Sequence, residues 1–113
     1  MAMTPLEWLA RVRHDLVKRL LWPARDRREL GGAPAPGELV PTLIDGEGRA
    51  ITAEALWTEL RGEAPATLAL DGFGAALARA VAAAEAGDVA GVLAFEADVA
   101  ALEKLVRSLD GGG

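Results

Sequence analysis

The sequence predicts a mainly α domain, a compact bundle of about four helices with a short β-hairpin between helices 1 and 2. Three observations carry that prediction. A capped amphipathic segment opens the chain, and apolar residues at helical spacing fill its alanine-rich C-terminal half. Between them, a Gly/Pro-rich stretch is followed by two short apolar runs that flank a turn.

Thr4-Pro5-Leu6-Glu7 combines an N-cap, a proline at the first helical position and a glutamate placed to close a capping box. Leu6, Leu9, Val12, Leu16, Leu20 and Leu21 then recur on one face, so helix 1 spans residues 4–30. Pro23 removes a backbone donor and clashes with the preceding turn, which predicts a kink near Trp22, with the helix resuming from Ala24 to Leu30. Residues 31–38, opening Gly31-Gly32-Ala33-Pro34, offer nothing to bury and read as a linker. Residues 39–51 hold the hairpin, its strands flanking Asp45-Gly46-Glu47-Gly48. Thr52 caps a helix over 52–61, with Leu56, Trp57 and Leu60 inward and Gly62 at its end.

Residues 71–109 read as a helical hairpin that turns at Gly87-Asp88, where one helix stops and the next is capped. Phe73, Leu77 and Val81 mark the inner face of its first arm. In the second arm, one helix over 88–109, Val92, Val99 and Val106 hold one heptad position and Phe95, Leu102 and Leu109 the other. Gly91 counts against that helix by about 1 kcal/mol, which three heptads of agreement outweigh. Residues 110–113 read as a flexible tail. The predicted core is Leu9, Leu16, Leu20, Leu56, Leu77, Val81, Val92, Val99, Leu102 and Val106, with Trp8 and Trp57 buried or half-buried.

A chain of 113 residues, 51% hydrophobic and 26% charged, is expected to form a single folded domain. It has no cysteine, which removes disulfides and thiolate chemistry and fits a reducing, cytoplasmic setting. The opening residues lack the basic-then-apolar pattern of an export signal, and no uncharged run approaches the roughly 18–20 residues of a membrane span. His14 is the sole histidine and Ser108 the sole serine. Neither metal, cofactor nor catalytic residues are expected. His14 and Asp15 are adjacent, and adjacent helical side chains diverge by about 100°.

Two loops mimic binding motifs and fail on inspection. Counted from Asp45, a calcium loop needs glycine at its sixth position and glutamate at its twelfth, which here are Ala50 and Leu56. The Asp71-Gly72-Phe73-Gly74 segment follows an apolar run as a dinucleotide fingerprint does, but Leu77 stands where close helix packing needs glycine or alanine.

Charge is unevenly divided. Residues 1–30 carry seven basic and four acidic residues, net +3, while residues 31–113 carry five and thirteen, net −8. One use is internal: the basic first helix complements Glu96, Asp98, Glu103 and Asp110 of the last. The other is external. Arg19, Arg25, Arg27 and Arg28 cluster around Trp22, a composition enriched where proteins dock. The expected function is therefore a non-catalytic interaction or adaptor domain, its partner another protein or a second copy of itself. The alternatives are a small ligand-binding or cofactor-free enzymatic domain, and anion or membrane-surface binding by the basic helix.

Overall fold

A computed structural model describes residues 4–110 of the chain; of the tail expected over 110–113, Asp110 instead ends the last helix and residues 111–113 lie outside the described residues. Its helices are α1 (Pro5–Val12), α2 (Lys18–Leu30), α3 (Ala53–Gly62), α4 (Asp71–Glu85), α5 (Val89–Leu93) and α6 (Phe95–Asp110). A π-helical turn, Arg13–Val17, joins α1 to α2, making one long N-terminal helical run. Strands β1 (Leu43–Ile44) and β2 (Ala50–Ile51) form an antiparallel hairpin between α2 and α3, with Leu43 opposite Ile51 and Ile44 opposite Ala50. The mainly helical bundle with its single small hairpin is the predicted architecture. No described helix is long and apolar enough to cross a membrane.

Local chemistry sets the boundaries. At α1 the Thr4 hydroxyl accepts from Glu7 N–H at 3.2 Å, and the Glu7 carboxylate accepts from Thr4 N–H at 3.3 Å, a complete capping box. Thr52 caps α3 through Ala55 N–H at 3.1 Å. Gly87, at φ 72°, adopts the left-handed conformation that ends α4, and Asp88 caps α5 through Gly91 N–H at 3.0 Å. In the hairpin, Asp45 Oδ1 accepts from the backbone N–H groups of Glu47 (2.8 Å) and Arg49 (2.9 Å), and these bonds hold its carboxyl below the usual range.

Three details depart from the sequence pattern. The long helical run continues through Pro23 to Leu30, as its span predicts, but it also holds an unexpected π segment upstream, where Lys18 N–H bonds the Arg13 carbonyl. The last helix is two helices, interrupted at Ala94. Gly91 weakens helix continuity there, and the two pieces answer to different neighbours, α5 lying on α2 and α4 and α6 on α1 and α4. Finally, the linker is not loose. The Arg27 guanidinium, on the last turn of α2, grips Glu38 with two hydrogen bonds, Nε–Oε2 at 2.6 Å and Nη2–Oε1 at 2.7 Å, and also donates to the Gly31 carbonyl at 3.1 Å.

The core is one cluster drawn from every helix. Nine of the ten predicted core residues are buried, and Val81 is half-buried against the rest. Trp8, Trp57, Phe73 and Phe95 form a chain of tilted rings through its centre, at centroid distances of 6.2, 4.9 and 5.2 Å. Leu109, assigned to the seam by its spacing, is exposed near the end of α6, one turn beyond the buried Val106. Electrostatics matches the expected internal pairing: α1 packs on α6, with Arg13 3.4 Å from Glu103 and Arg25 of α2 3.5 Å from Glu96. Both pairs are exposed enough to contribute little stability singly.

Candidate functional site

The outer face of α2 carries the exposed aromatic residue of the domain. Trp22 is 54% exposed, in contrast to Trp8 and Trp57, which are 0% and 6% exposed. Its position follows from the helical phase: Leu20, Leu21 and Ala24 point into the core and turn Trp22 outward. An open groove of about 590 Å³ is lined by Arg19, Trp22, Pro23, Asp26, Arg27 and Leu30 of α2 and by Glu38, Val40 and Thr42 of the segment that follows it. Leu30 and Val40 are themselves 76% and 45% exposed, so three of the large exposed hydrophobic residues among those described line this one groove.

The five residues singled out from sequence divide into two sets. Arg25 is turned toward Glu96, and Arg27 is committed to Glu38 and the Gly31 carbonyl. These two arginines tie the domain together. Arg19 and Arg28 are exposed and make no ion pair with any described residue, and Trp22 lies between them along the helix. Lys18 adds a cation over the Trp22 ring, 5.3 Å from its centroid. Sequence reasoning missed Leu30, Val40 and Lys18. The first two flank the linker, and only its return path along α2, fixed by the Arg27–Glu38 tie, makes them neighbours of Trp22.

That tie also gives the groove a pH dependence. The Arg27 guanidinium, helped by the Ala35 N–H, holds the Glu38 carboxyl below the usual carboxylate range. A carboxyl depressed in the folded state stabilises fully above its unfolded value, about 4.3, and loses that contribution as pH falls through the lower folded value. Melting temperatures of wild type and Glu38→Gln, followed from neutral to acidic pH, should therefore differ at neutrality, with wild type the more stable, and converge in acid.

A second open groove, about 570 Å³, runs between the long N-terminal helix and α6, with Val17, Leu21 and Val99 in its floor. His14 lies on its rim, and its Nδ1 is 2.9 Å from Asp15 Oδ1. The divergence expected of adjacent helical side chains is thus overcome here. These residues belong to the π turn, whose i→i+5 bonding spreads more residues over each turn and reduces the angle between neighbours. Asp15 also takes a longer bond from Arg11 at 3.4 Å, and Arg11 pairs in turn with Glu63 of the segment after α3. No serine or threonine forms a side-chain hydrogen bond with this His–Asp pair among the described residues.

No family model, curated protein or solved structure matches this chain.

Proposed function

We propose that the protein is a non-catalytic interaction domain that docks a protein partner on the Trp22 face of α2, working in a reducing, cytoplasmic setting. The observation that carries this reading is the solvent exposure of Trp22 beside Leu30 and Val40 on a groove walled by ordered elements. A tryptophan exposed at one edge of a folded domain contributes little to folding, and large aromatic residues flanked by arginine dominate binding energy where proteins meet. Openness of the groove also suits a protein surface better than a small molecule, which needs enclosure on most sides. Arg19 supplies the unpaired cation of the groove and Lys18 lies over the Trp22 ring, whereas Arg27, also on the groove, is held by Glu38, and Arg25 and Arg28 do not line it.

Trp22→Ala should change stability by no more than about 1 kcal/mol, because it removes only an exposed ring and one cation–π contact. The same substitution, and Arg19→Glu separately, should abolish retention of a partner when the purified protein is used as bait in a lysate of its source organism. Retention that is indifferent to both variants, with both folded by circular dichroism, would remove the Trp22 face from the reading.

A further inference from the structure

We infer that the occupant of the Trp22 face is a second copy of this chain, the two α2 helices running antiparallel about a two-fold axis between Trp22 and Pro23. This rests on the docking reading and names its partner. A two-fold interface must be complementary to itself, so the test of any candidate patch is whether its own charges match when reversed.

The α2 face meets that condition. Arg19 and Asp26 both line the groove, one three residues before Trp22 and the other three after Pro23, and neither pairs with a described residue. Seven residues of helix separate them by about 10 Å, too far for a bond within one chain. Reversal about the axis sets Arg19 opposite Asp26 of the second copy, twice over, and stacks Trp22 on Pro23 of the second copy. Lys18 falls opposite Arg27 of the second copy, where Glu38, bonded to that guanidinium, supplies the compensating charge.

Leu30 completes the fit. It is 76% exposed and lies as far beyond the axis as Asp15 lies before it. It therefore arrives beside a small hollow of about 240 Å³ lined by His14, Lys18, Arg19 and Trp22. The exposed charges of α2 favour a second copy over a foreign partner. On the groove Arg19 is balanced by Asp26, both exposed and without ion pairs among the described residues. An acidic protein would leave the carboxylates unmet and a basic one the guanidinium groups, while an anionic membrane would be repelled by Asp26 and by the net charge of −5.

Sedimentation equilibrium over a concentration series tests this. Wild type should shift from 11.8 kDa toward twice that mass as concentration rises. Arg19→Asp and Asp26→Arg, each placing like charges together twice per dimer, should each weaken association about tenfold or more. The double reversal should restore it, and so should an equal mixture of the two single variants, since the acidic chain then faces the basic one. A mass of 11.8 kDa at every concentration overturns the inference, as does a dimer that ignores both reversals. If the protein stays monomeric yet retains another protein in a Trp22-dependent way, self-association falls and docking stands. If neither another protein nor this chain binds through Trp22, both fall.

Discussion

Trp8→Phe should destabilise the domain by about 1–3 kcal/mol, and Trp8→Ala by about 3–5 kcal/mol, in denaturant unfolding. Trp8 is fully buried, and its indole Nε1 donates to the Leu60 carbonyl at 2.7 Å, tying the first turns of the chain to the end of α3. Phenylalanine keeps an aromatic ring in the cluster but is smaller and removes that bond, leaving the Leu60 carbonyl with the Glu63 N–H alone, at 3.1 Å. Alanine adds a cavity where α1 and α3 meet. Trp57 supplies the control, since it is nearly as buried but its Nε1 has no hydrogen-bond partner. Trp57→Phe discards a donor that was desolvated without recompense, and should cost clearly less than Trp8→Phe. Equal losses at the two positions would show that ring volume, rather than the Leu60 bond, sets the cost.

Gly91→Ala should lower stability by about 1–3 kcal/mol, against the gain of about 1 kcal/mol that helix propensity alone predicts. A methyl group at Gly91 would lie 2.8 Å from the Ala83 Cβ on α4 and 2.5 Å from an Asp88 carboxylate oxygen. The carboxylate can swing aside only by giving up its cap on Gly91 N–H, a loss of about 1 kcal/mol. Ala83 cannot yield without moving one helix from the other, so sterics wins over propensity. Gly72, on the first turn of α4, has nothing within 4 Å of the corresponding position, and Gly72→Ala should be neutral or slightly stabilising. Chemical denaturation of the two variants side by side reads both signs in one experiment.

These glycines show where sequence reading reaches its limit. Propensity marks Gly91 as a defect in a heptad pattern, and nothing in its neighbours along the chain reveals Ala83 pressing against it from α4. The same holds for Trp22 and the arginines around it. Composition picks out the cluster, but Arg25 and Arg27 face Glu96 and Glu38, remote in sequence, and become scaffold. Leu30 and Val40 join Trp22 only because the linker folds back, and no periodicity spans that loop.

What the sequence determined by itself is local: the caps at Thr4, Thr52 and Asp88, the glycine turn at Gly87, the Asp45 hairpin and the inward faces of the helices. Those features follow from backbone hydrogen-bonding needs and from apolar spacing within a few turns, both written in consecutive residues. Tertiary structure decided the division of the last helix at Ala94 and the π turn at Arg13–Val17. It also decided which charges are spent inside the domain and which remain at its surface. Packing sets those outcomes because it brings together groups distant along the chain, where contacts of a few kcal/mol outweigh intrinsic preferences of about one.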